Sequence, residues 1–78
     1  MSHAATMPSV REILPGVVLS RSGTGSYSVV DHGRFAGWLH ASLGDEWAAH
    51  VEPGRYLGKF KQDAAVRAVV RAFHERNV

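Results

Sequence analysis

Seventy-eight residues, 45% of them apolar and 21% charged, with no cysteine, suffice for one small globular domain and exclude most enzyme folds. Without cysteine the chain has no disulfide, thiolate metal site or cysteine nucleophile, so the cytoplasm is the expected compartment. The formal charge of +2 is a mild excess, but it is unevenly spread: residues 1–54 hold three Arg and five acids, residues 55–78 six Lys or Arg and two acids. No apolar run reaches the roughly 18 residues of a membrane-spanning helix, and Met1 to Met7 lacks the basic start and apolar centre of a signal peptide, so no membrane role is expected. A domain this small gains from a partner or a second copy, which makes a homodimer a natural expectation.

In chain order, residues 1–25 read as a flexible or weakly structured leader. Val17-Val18-Leu19 is a strand candidate there, with Pro15-Gly16 interrupting it and Ser22-Gly23-Thr24-Gly25-Ser26 following as a loop. The single folded domain is expected over 26–78. Tyr27, Val29 and Val30 are strand formers, and Asp31-His32-Gly33 is hairpin-turn chemistry leading into Arg34 to His40.

Pairing Arg34–His40 with Glu46–Glu52 across a loop at 41–45 sets Leu39 opposite Trp47, Gly37 opposite Ala49 and Phe35 opposite Val51 on one apolar face. The opposite face then holds Arg34, Ala36, Trp38 and His40 beside Glu46, Ala48, His50 and Glu52. Pro53-Gly54 marks the next turn and Tyr56 to Phe60 the next strand. Strict alternation would put Tyr56 on the apolar face; a three-residue loop at 52–54 with a bulge near Gly58 instead turns Leu57 and Phe60 inward and Tyr56 outward, and is the preferred reading.

Asp63 to Asn77 reads as a helix with an apolar stripe of Ala65, Val66, Val69, Val70, Ala72 and Phe73. Arg67, Arg71 and Glu75 lie on its wet side, and Asp63 and Arg76 suit the two ends of its dipole. The expected fold class is α+β: a three- or four-stranded antiparallel sheet with one C-terminal helix packed on one face.

The runs Trp47-Ala48-Ala49-His50-Val51-Glu52-Pro53 and Arg55-Tyr56-Leu57-Gly58-Lys59-Phe60, followed by Ala64-Ala65 and Ala68, resemble the ethylene-response-factor (Apetala-type) DNA-binding domain over about residues 35–73. Related three-stranded domains occur in phage integrase arm-binding regions. The resemblance implies a sheet with one face on the helix and the other in the DNA major groove, with Tyr56 at the groove-facing aromatic position and Lys59 at a phosphate contact. It also shows departures. Ala36, Leu39 and Ala41 stand where the family carries DNA-contacting arginines, His50 where it carries Glu, and Glu52 where it carries Arg.

On the residues themselves, the open sheet face is expected to gather Trp38, His40, His50 and Tyr56, with Arg34, Arg55 and Lys59 nearby. Aromatics interleaved with cations serve stacking and phosphate contact. The first expectation is therefore a small DNA-binding protein of phage or mobile-element type. In it Arg34, Arg55 and Lys59 contact phosphates, and Trp38, Tyr56 and His50 lie against bases. The same residue types also make protein–protein hot spots, and Glu46 and Glu52 oppose phosphate, so the alternative is a protein-interaction module, or a homodimer closed through Trp38 and Tyr56, without DNA affinity. Five histidines form no metal-binding spacing, and no nucleophile elbow or phosphate loop occurs, so no cofactor, metal, small-molecule substrate or enzymatic role is expected.

Overall fold

The computed structural model describes residues 10–76. Six strands form one antiparallel sheet: β1 (Val10–Leu14), β2 (Val17–Gly23), β3 (Ser26–Asp31), β4 (Arg34–Ala41), β5 (Glu46–Val51) and β6 (Arg55–Lys61), followed directly by the helix α1 (Gln62–Arg76). Spatial order equals chain order, β1 through β6, so the sheet is an uninterrupted meander. The α+β class and the C-terminal helix on an antiparallel sheet stand, but the strands number six rather than three or four. Two of the additional strands come from the stretch read as a leader. There Pro15-Gly16, taken as an interruption, is the turn of the β1–β2 hairpin, and Gly16 supplies the positive φ of 80° that this turn needs. The expected mobility of residues 1–9 falls outside the described residues.

The β3–β4 turn is built as its composition suggests. His32 and Gly33 take φ values of 51° and 83°, the paired positive angles of a type I′ hairpin. In β4 one residue more than alternation allows is inserted: Val29 pairs with Gly37 and Val30 with Phe35. This bulge reverses the facing of the strand's first residues. Ala36, expected on the open face, is fully buried in the core, and Phe35, expected in the core, is 49% exposed on the open face. Beyond the bulge, Gly37, Trp38, Leu39 and His40 face as alternation predicts. The β4–β5 pairing sets Gly37 opposite Val51, Trp38 opposite His50 and Leu39 opposite Ala49. It is two residues away from the expected register, and a shift of two leaves every side chain on its expected face.

At the last hairpin, Val51 pairs with Arg55 around the three-residue turn 52–54, and the ladder shifts between Ala49–Gly58 and His50–Tyr56. Leu57 and Phe60 pack against the core while Tyr56 points outward, as the bulge near Gly58 requires; Gly58 has a φ of 129°, which favours glycine.

The helix lies across β3 to β6, chiefly over β5. Its Ala65, Val66, Val69, Ala72 and Phe73 are buried against Leu19, Val29, Ala36, Leu39, Ala49 and Val51. Burying a side chain such as Val66 or Val69 contributes about 1.5–3 kcal/mol, and such terms hold the layers together. A Cβ at Gly37 would sit 2.1 Å from the His50 carbonyl oxygen of the neighbouring β5 and 2.8 Å from Val69 Cγ1 of the helix, so only glycine fits between them.

Candidate functional site

Among the described residues, nothing covers the sheet face away from the helix. Residues directly opposite one another in an antiparallel pair share a face, so the pairings generate cross-strand rows. One row runs Val18, Val30, Phe35; the next Ser20, Ser28, Trp38, His50, Tyr56; the third Ser26, His40, Ala48, Lys59. The large residues of these rows lie on β4 to β6 and the small ones on β2 and β3.

The aromatic half is one connected stack. Phe35 and Trp38 are stacked with ring centres 6.2 Å apart and planes 8° from parallel, and Trp38 stacks on His50 at 5.0 Å, again at 8°. Tyr56 lies tilted against His50 at 5.3 Å, and His40 meets His50 edge-on at 5.8 Å. Parallel packing thus joins Phe35, Trp38 and His50, while Phe35 and Tyr56 at the ends of the strip stay about half exposed. His40 is fixed by a 2.8 Å hydrogen bond between its Nδ1 and the Ser26 hydroxyl. Burial in the stack, and then the neighbouring His40, lowers the His50 pKa below its ordinary value; its Nδ1 is buried without a hydrogen-bond partner. The centre of the strip is therefore a neutral imidazole at physiological pH, acting as one more flat ring.

Four of the seven candidate residues, Trp38, His40, His50 and Tyr56, come together as predicted, and Lys59, opposite Ala48, lies beside them. Arg34 and Arg55 do not. The β4 bulge carries Arg34 to the helix side, where its guanidinium lies 5.1 Å from the centre of the Phe73 ring. Arg55 pairs opposite the inward-facing Val51 and lines a small groove with Ala72 and Arg76 on that same side. Glu52 also leaves the open face: its carboxylate receives Arg76 Nη1 at 2.5 Å. What remains on the open face is close to neutral, with Lys59, Glu46, Glu12 and the 2.8 Å pair of Lys61 with Asp45. Phe35 is the residue that sequence reasoning missed. An aromatic beside an Ala-Gly pair, with glycine buried mid-strand, is the only signal the sequence offers.

The helix side holds a second polar cluster that the sequence did not reveal. Asp31, read as turn chemistry, is 4% exposed and gripped by two imidazoles, His32 Nδ1 at 2.6 Å and His74 Nε2 from the last helical turn. Burial alone would raise the Asp31 carboxyl, but hydrogen bonds and charge from His32 and His74 outweigh it, so its pKa lies below the usual value. The His32 ring rests on Gly16, where a Cβ would meet it at 2.3 Å, so the cluster joins both N-terminal hairpin turns to the helix end. Among the described residues, no group of three or more His, Cys, Asp or Glu is arranged to hold a metal ion. Among them also, no helix is long and apolar enough to cross a membrane. Comparison with protein-family models, curated proteins and solved structures finds no match to this chain.

Proposed function

We propose that this protein is an interaction module whose ligand is a protein surface, docked on the aromatic strip Phe35–Trp38–His50–Tyr56. The observation that carries this reading is the separation of rings from cations: the strip is on one side of the sheet, Arg34 and Arg55 on the other. Duplex binding through this face needs several cations on the phosphate backbone, since the electrostatic term supplies most of non-specific affinity; Lys59 is the one candidate phosphate contact left there. Base stacking needs free ring faces, and parallel packing already engages Trp38 and His50 at the centre of the strip. A protein partner needs neither. Half-exposed Phe35 and Tyr56 flanking Trp38, over a neutral surround, suit the apolar centre of a protein interface.

A photocrosslinking residue placed at Phe35 tests the reading in native extract. The expected product is a discrete adduct that protease removes, nuclease leaves intact, and Trp38→Ala abolishes. A nuclease-sensitive adduct would overturn it. So would amide shifts at His50, Tyr56 and Lys59 on adding duplex DNA that fade between about 50 and 200 mM salt, as phosphate-driven binding does.

A further inference from the structure

We infer that the surface this strip docks on is the same sheet face of a second copy, related by a two-fold axis parallel to the strands above the β3–β4 boundary; the inference rests on the protein-partner reading above. Its basis is the relief of the face. The bulky side chains Phe35, Trp38, His40, His50 and Tyr56 all rise from β4 to β6, whereas β2 and β3 present Val18, Ser20, Ser26, Ser28 and Val30. Packed sheets sit about 10 Å apart, a gap that a large side chain and a small one fill together and two large ones overfill.

Six strands place the centre of the sheet between β3 and β4. A two-fold axis there, lying along the strands, lays β4 over the other copy's β3, β5 over its β2 and β6 over its β1, and keeps each row facing itself. Trp38 then meets Ser28, His50 meets Ser20, Phe35 meets Val30 and His40 meets Ser26. Each of these four positions joins a larger side chain to a smaller one. An axis perpendicular to the strands would instead lay β4 on β4, ring stack on ring stack, and leave the serines facing a gap. The closed interface is isologous, so it stops at two copies.

Sedimentation equilibrium of the full chain, at up to about 0.5 mM so as to reach beyond micromolar affinities, is expected to give twice the monomer mass. Ser28→Lys, which changes an open-face position outside the buried core, is expected to return the monomer with its circular dichroism unchanged. In a mixed sample, a spin label on Ser20→Cys should broaden amides around His50 and Tyr56 of the unlabelled, isotope-enriched copy. A wild-type monomer throughout the range, a Ser28→Lys dimer, or broadening centred on Ser20 and Ser28 would each overturn the inference. If the chain is monomeric while the Phe35 adduct forms with a different protein, the second copy fails and the protein-partner reading stands. If neither forms, both fail.

Discussion

The two faces of this sheet are built from the same six strands and solve opposite problems. On the helix side, apolar residues disappear under α1 and the charged groups around them find partners: Arg34 over Phe73, Arg76 on Glu52, Arg71 near Glu75, and Asp31 between two histidines. On the other side the rings pack mainly on one another, with His40 also held by Ser26, and Phe35 and Tyr56 remain about half exposed. The difference teaches where to look for function in a chain of this build. A face whose polar groups are satisfied locally is structural, while the face with exposed rings is where the proposed partner would sit.

Adjacent residues of β4 give the sharpest way to break this comparison. Leu39→Ala, in the core, should cost about 3 kcal/mol by urea denaturation, while Trp38→Ala, one residue away on the open face, should cost about 1 kcal/mol and abolish association. Equal losses would mean that the strip is structural after all. Next in size, Gly37→Ala forces a methyl against the His50 carbonyl and Val69, and should lower stability by about 2–3 kcal/mol. A neutral result would show that both the β5 backbone and the helix can give way around Gly37.

The Asp31 cluster sharpens the comparison through pH. A carboxyl whose folded pKa is depressed contributes stability that is fully present above the unfolded value of 3.8 and is lost as pH falls through the folded value. Thermal melts should therefore show the wild type losing stability below about pH 4. Asp31→Asn should flatten that limb and cost about 2 kcal/mol at neutral pH, as loss of hydrogen bonds to a charged group does. The smallest effect belongs to Arg71→Ala, whose guanidinium lies 3.8 Å from Glu75 one helical turn on; it should change stability by about 0.3 kcal/mol.

How much of this was legible depended on whether a local pattern marked it. Trp38, His40, His50 and Tyr56 were placed on one face because period-two alternation survives a register error of two residues. Gly58 announced its bulge, since glycine inside a strand is itself a mark. The β4 bulge ends on Gly37, a mid-strand glycine that reads equally well as close packing under the helix, so the sequence pattern assigns Arg34, Phe35 and Ala36 to the wrong faces. The first hairpin was hidden because serine-rich strands alternate weakly and Pro15-Gly16 looked like an ending rather than a corner. Asp31 was unreadable for another reason: its second histidine lies 43 residues downstream, beyond any local pattern.

The meander has a kinetic meaning as well. Each strand pairs only with its neighbours in the chain, across connections of two to four residues, so little loop-closure entropy opposes each pairing step. Hairpins can form one after another from any starting turn, and the helix alone must wait for a surface to settle on. A chain that is half sheet and one helix should then fold near the rates of mixed α/β domains with local contacts rather than those of β-sandwiches, completing its own fold before it meets anything else.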